Sequence, residues 1–362
     1  MIRSPLVLVV LLFLAACSTG IAAPAAPAAA TPDYWPTKGW RTAEPAAHGM
    51  DAARLAELDT LVPERYPDVR GVLVVRNGYI VYETYFRGYS AEDYHEIASV
   101  TKGFTAAILG AALQDELLSL DQSVTEFFPA YINEDTDPRK QDITLRHILS
   151  MTSGWQWQPS VQLAREMSTT DDQRRVMFAQ PLDYAPGETF VYKPTDSHLL
   201  SAIITEVSGK STLEYGRERI FDPLGIPTDE AAGFAWNTDA QGYYGGPTGL
   251  RLRTHDLAKL GYLYVNNGVW NGAQLIPAEY VAESTRTQSE GDWSDAGDVT
   301  YGYHWWVADH GEYQAFFAAG FGGQFIYVIP DLNIVVVTVS EINESVKELR
   351  DIIDEGIIPA AE

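Results

Sequence analysis

Stretches rich in β-branched and aromatic residues lie at opposite ends of this chain, with mainly helical patterns between them. Near the start, GVLVVRNGYIVYETYFRGY (Gly71–Tyr89) reads as two strands joined at Asn77-Gly78, a dipeptide suited to the tight turn of a hairpin. Near the end, YGYHWWVADH, EYQAFFAAG and QFIYVIPDLNIVVVTVS read as further short strands separated by tight turns. Strand signals at both termini imply one antiparallel sheet assembled from both ends of the chain, flanked by helices. The expected fold is therefore α+β, with a mainly helical lobe inserted. The sheet lobe should draw on about 40–98 and 295–362, the helical lobe on about 99–294, within one domain at 40–362.

Helical spacing supports the middle of this scheme. DAARLAELDTLV (Asp51–Val62) spaces Leu55, Leu58 and Val62 behind a candidate N-cap, Asp51. Asp142–Gly154, Thr195–Gly209, Ser211–Ile226, Arg253–Gly268 and Pro277–Thr285 carry similar patterns, and Asn343–Gly356 reads as a closing helix. Gly209 is read as a helix stop. The chain has 362 residues and a formal charge of −24, which disfavours nucleic acid as a partner because a phosphate backbone would be repelled.

The first residues read as a targeting device. Arg3 precedes an apolar run, Leu6–Ala16, too short to span a bilayer and suited to a signal peptide. Leu14-Ala15-Ala16-Cys17 resembles a bacterial lipobox, and Cys17 is the single cysteine in the chain. Residues 1–17 are thus expected to be a signal with a lipid attachment point at Cys17, giving a protein exported to the cell envelope and tethered to the membrane. Cleavage further on, among the alanines, would instead release a free secreted protein. Residues 18–39 are rich in Ala and Pro at first and read as a tether.

The chemistry is expected at HEIASVTKGFTAAILGAAL (His95–Leu113), where a polar lead-in meets an apolar helix. Ser99 and Lys102 are three apart and share a helix face, about 5–6 Å between Cβ atoms. A serine hydroxyl is a poor nucleophile until a neighbouring base takes its proton. Lysine can be that base when neutral, and burial penalises its charged form. The helix start also offers the Ser99 N–H as an oxyanion donor. Alone, Ser-x-x-Lys is weak, since about one is expected by chance in a chain this long. An N-cap serine beside a snorkelling lysine is the structural alternative.

Further segments in register sharpen the reading: LRHILSMTSG, PGETFVYKPTDSHLLSAII, GGPTGLRLRTHDLAKLGYLYVNNGVWNG, YGYHWWV and AAGFGGQFIYVIPD. Together with ASVTK, and over roughly Gly49 to Gly356, the chain resembles the serine β-lactamase and penicillin-binding-protein superfamily. It looks most like the class C-related branch that includes family VIII carboxylesterases and 6-aminohexanoate-oligomer hydrolases. The resemblance implies an acyl-enzyme on Ser99, with Lys102 and Tyr192 moving protons, no cofactor, and N–H groups of Ser99 and Phe321 as oxyanion donors. It also implies departures. Pro194 stands where the family has asparagine in Tyr-x-Asn, and Ala318-Ala319-Gly320 stands where β-lactamases carry Lys-Thr-Gly. The missing cation removes a charge-assisted contact worth about 1.5–3 kcal/mol to a substrate carboxylate. An uncharged small-molecule ester is then the expected substrate, a small amide the second.

By the same resemblance, Trp155, Trp157, Trp305, Ala318 and Gly320 are expected to line the substrate site, and Tyr243, Tyr244 and Trp306 lie near the family's pocket-lining segments too. Plain core packing is the competing role for such aromatics. The seven histidines show no metal-ligand spacing, and His147 and His255 read as satisfied structural residues. No Gly-x-Ser-x-Gly elbow occurs. A non-catalytic envelope-binding protein with a decayed site, and a true β-lactamase or D-alanyl-D-alanine carboxypeptidase, are the rival functions.

Overall fold

In the computed structural model, the hairpin expected at Asn77-Gly78 forms between β1 (Val69–Arg76) and β2 (Tyr79–Tyr85). Both turn residues take positive φ, 52° and 84°, as a two-residue turn between twisted strands requires. The described residues are 32–157, 170–293, 299–343 and 350–362. The signal, Cys17 and most of the Ala/Pro-rich tether lie outside them, as do residues 344–349 of the expected closing helix.

The C-terminal stretches supply β3 (Thr300–Tyr301), β4 (Trp306–His310), β5 (Tyr313–Gly320), β6 (Gln324–Ile329) and β7 (Ile334–Ser340). They join the N-terminal hairpin in one seven-stranded sheet of order β2-β1-β7-β6-β5-β4-β3, antiparallel throughout. The two ends of the chain meet where β1 pairs with β7, Leu73 opposite Val337. The fold class expected from the sequence is the one observed.

Alternation along the strands divides the apolar residues between two cores. Leu73, Val75, Phe316, Ala318, Ile326, Val328, Val335 and Val337 face the helical side. Val72, Val74, Ala315, Phe317, Phe325, Tyr327, Ile334 and Val336 face the other side, where the N-terminal helices meet Ile352–Ala361. Central strands covered on both faces read as near-continuous apolar runs, as IVVVTVS does. Asp51 caps the first helix, accepting from Ala53 N and Arg54 N, although the expected single helix is two: Ala52–Ala56 and Leu58–Arg65.

On the helical side, α1 (Thr101–Gln114) is buried along almost its whole length and packs against α2 (Pro194–Ser208). α2 ends at Gly209 in the left-handed conformation, as expected of a helix stop. α3 (Thr254–Val265) lies on the sheet, where a Cβ at Gly261 would stand 2.6 Å from Val335 Cγ1. His147 and His255 are satisfied in their helices, by the Thr144 N–H and the Glu83 carboxylate respectively. Asp142–Gly154 is less helical than its pattern suggests, with one short helix at Leu145–Leu149 followed by irregular chain. Among the described residues no helix is long and apolar enough to cross a membrane.

Candidate active site

The short strand His95–Glu96 enters a 3₁₀ turn, Ala98–Val100, that runs into α1. Ala98 sits at φ 45°, a left-handed conformation uncommon outside glycine. Its carbonyl accepts from Thr101 Oγ1 at 2.7 Å, which holds the sharp entry into the helix. Ser99 therefore lies in the turn rather than in the helix proper, half-buried and reachable. Lys102, in the first turn of α1, keeps only 2% of its surface exposed.

The Lys102 amine lies 2.9 Å from Ser99 Oγ. It also donates to Pro247 O at 3.3 Å. Pro247 is held in place by a crowded loop: Thr105 Oγ1 donates to Gly246 O, and a Cβ at Gly246 would fall 2.0 Å from Ser197 O. Tyr192 closes the third side, with the Lys102 nitrogen 4.8 Å from its ring centroid. That ring stacks on Trp306 at 5.8 Å and meets Tyr301 edge-on at 6.2 Å. Hydrogen bonds from Val191 N to Met151 O and from Lys193 N to Met151 Sδ fix the segment carrying it.

The end of β5 packs against the serine turn. A Cβ at Gly320 would stand 2.4 Å from Ile97 O and 3.2 Å from Ala98 Cβ, so only glycine permits this approach. Phe321 follows at once, in the turn to β6, with Gly322 and Gly323 at φ 86° and 98°. The nucleophile candidate, an amine, a phenol and a strand end are thus brought into one place by three separate segments.

A sequence pattern described as Beta-lactamase matches residues 64–355. The chain belongs to the Beta-lactamase family. An uncharacterised protein of Alkalihalophilus pseudofirmus is 25% identical over 74% of this chain and 82% of its own length. The 6-aminohexanoate-dimer hydrolase of Paenarthrobacter ureafaciens is 22% identical, over 80% of this chain and 76% of that protein. The crystal structure of a family VIII carboxylesterase superimposes with a TM-score of 0.64 at 16% identity, covering 85% of this chain and 98% of that one.

Within this Beta-lactamase-family fold, several expected pocket residues turn elsewhere. Trp305 is fully buried, packed against Tyr264 and Phe316 behind α1, and faces no cleft. Its neighbour Trp306, on the opposite face of the strand, is the one that touches Tyr192. Ala318 points its methyl group into the core, where a Cβ at Gly103 would stand 3.6 Å away, so its side chain is not a substrate contact. Trp155 is only 3% exposed and packs edge-on against Phe178. Trp157 is half-buried and shares a small recess with Trp155, Val176, Met177, Gln180 and Thr195. Tyr243 lies over Arg174 and Tyr244 beside Trp236.

Other groups at the site depend on partners that are distant in the sequence. Lys193 is 1% exposed and donates to Trp155 O at 3.2 Å. Its amine lies 3.8 Å from the fully buried carboxylate of Asp196, which accepts from Ser153 Oγ at 2.7 Å. Burial raises the Asp196 carboxyl above its ordinary range, against the opposing pull of Lys193 and Ser153. His304 is buried at φ 61°, with Nδ1 3.1 Å from Leu149 O. Burial, and then the charge of Lys102, lowers its pKa to about 3, so the imidazole beside the amine is neutral at ordinary pH.

Proposed function

We propose that this protein is an exported serine hydrolase, tethered through Cys17, that cleaves uncharged esters through an acyl-enzyme on Ser99. The contact of 2.9 Å between the Lys102 amine and Ser99 Oγ carries this reading. A buried lysine whose partners are a hydroxyl, a carbonyl and an aromatic face can give up its proton without stranding a counter-ion.

In the first step Lys102, once it has released the proton it carries at rest, takes the Ser99 proton as Oγ bonds to the carbonyl carbon, and the carbonyl oxygen becomes an oxyanion. The N–H groups of Ser99 and Phe321 face that oxygen. Collapse breaks the bond to the leaving alkoxide, which receives the proton through Tyr192. Water then attacks the acyl carbon, its proton passing back through Tyr192 and Lys102, and Ser99 Oγ leaves as the hydroxyl.

The substrate class rests on what the site lacks. Ala318-Ala319-Gly320 stands where the family resemblance expects Lys-Thr-Gly, so this strand brings no cation to a substrate carboxylate. Pro194 occupies the first position of α2, where its fixed φ suits a helix start and no side-chain amide is available. Both changes disfavour β-lactams and acyl-D-alanyl-D-alanine more than esters.

A fluorophosphonate probe tests the nucleophile, since Ser99 Oγ would displace fluoride from phosphorus. Labelling of the wild type, and none of Ser99→Ala, is expected. Turnover of p-nitrophenyl esters should exceed that of a chromogenic cephalosporin and fall sharply in Tyr192→Phe. Absence of labelling at neutral and alkaline pH would instead favour a non-catalytic binding protein.

A further inference from the structure

The Phe321 side chain has no evident place in the fold. It is 55% exposed, among the most exposed large apolar residues described, while its neighbours Gly320, Gly322 and Gly323 are buried. Its position is nevertheless fixed on two sides. Gly320 is pressed against the Ile97 carbonyl, two residues before Ser99. Gly322 is pressed against the chain leaving β7, where a Cβ would stand 2.5 Å from Glu341 O and 3.0 Å from Ile342 Cα. Ile342, itself 44% exposed, therefore flanks the same turn.

A large ring held half in water costs solvation free energy that a polar residue in a glycine-rich turn would avoid. In the mechanism proposed above, the ring belongs to the residue whose N–H would face the reacting carbonyl oxygen. The leaving oxygen must be on the side of Lys102 and Tyr192, which supply its proton. The acyl substituent therefore departs from the carbonyl carbon away from them, along the end of β5. The end of β5 itself brings no cation to it, because residues 318 and 319 are both alanine.

Building on the ester-hydrolase reading, we propose that the Phe321 side chain, backed by Ile342, is the specificity contact for the acyl group and selects esters with an extended apolar acyl chain. The physiological substrate is then a lipophilic ester without charge near its carbonyl. The contact acts by covering apolar surface that is exposed in the free protein, so it favours long chains over short ones. It takes no part in proton transfer.

The test compares p-nitrophenyl octanoate with p-nitrophenyl acetate, which share one leaving group. The readout is the ratio of their kcat/KM values, in which any disturbance of the Phe321 backbone common to both cancels. Phe321→Ala should lower the octanoate-to-acetate ratio about tenfold, Ile342→Ser should lower it less, and Phe321→Leu should retain most of it. Equal losses on both esters in Phe321→Ala would overturn the specificity role while leaving the Ser99 chemistry intact. A wild type that hydrolyses neither ester, or does so equally well as Ser99→Ala, would overturn the hydrolase reading and this inference with it.

Discussion

Two lysines are buried beside Tyr192, and their surroundings differ in one respect. Lys193 has a carboxylate 3.8 Å away in Asp196, which is itself held by Ser153. Lys102 has Ser99 Oγ, Pro247 O and the Tyr192 ring, and among the described residues no carboxylate lies within ion-pairing distance of it. Burial is nearly equal, at 1% and 2% exposure. Desolvation alone therefore does not separate a structural cation from a base. The neighbours do. A lysine that loses its proton beside a buried counter-ion leaves that charge unpaired, whereas one among neutral acceptors strands nothing.

The two lysines should consequently fail in opposite ways when replaced by methionine, which keeps the apolar stem. Lys102→Met should lose about 10²–10⁴-fold in ester turnover with little loss of stability. Lys193→Met should leave Asp196 buried and uncompensated, at a cost of about 3–5 kcal/mol in unfolding free energy. Its turnover per folded molecule should change far less than that of Lys102→Met. Adding Asp196→Asn should restore much of the lost stability. Denaturant unfolding and p-nitrophenyl ester assays on the same samples decide the matter. Turnover lost in the Lys193 variant and kept in the Lys102 variant would invert the assignment.

Why one lysine was legible in the sequence and the other was not follows from the same comparison. Ser99 and Lys102 are three residues apart at a helix entry, so local spacing places them side by side. Lys193 and Asp196 have that spacing too, yet the charge pair matters only because Ser153 and the Trp155 carbonyl arrive from a distant segment. Pro247 O and His304 Nδ1 likewise depend on loops that only tertiary packing brings near. The sheet was readable because period-two runs and Asn77-Gly78 specify strands and a turn locally. Its facing was not: Trp305 and Trp306 are adjacent, and choosing which faces the site requires knowing the strand's phase. Trp305 falls into the core, and Trp306 lies under Tyr192.

A smaller effect sharpens the account of the Lys193 side. Ser153→Ala removes the 2.7 Å hydrogen bond to Asp196 but leaves the ion pair. A buried acceptor losing one donor costs about 1–3 kcal/mol, less than losing its counter-ion. In an Asp196→Asn background the same substitution should cost less, because the partner is no longer a carboxylate. Additive losses in that double-mutant cycle, measured by urea unfolding, would mean that Ser153 supports the fold without acting on Asp196.

The smallest effect separates the two lysines by pH. His304 and His95 are held neutral in the fold, their pKa values lowered to about 3 and about 4, in each case mainly by burial. Both are below the value of about 6.5 for an unfolded histidine, so between these values the unfolded chain binds more protons than the native one. Stability from these groups is therefore complete well above pH 6.5 and declines as the pH falls towards 4, by about 1.4 kcal/mol for each histidine at pH 5.5. The second contribution at His304 is the charge of Lys102, and no such contribution comes from Lys193. Removing the Lys102 charge should lift the His304 pKa and make the acid loss shallower, while His95 titrates as before. Thermal midpoints of Lys102→Met and Lys193→Met between pH 7 and pH 4 measure this directly. Equal slopes in the two variants would show that the Lys102 charge does not reach the imidazole, and with it would go the claim that amine and imidazole share one desolvated site.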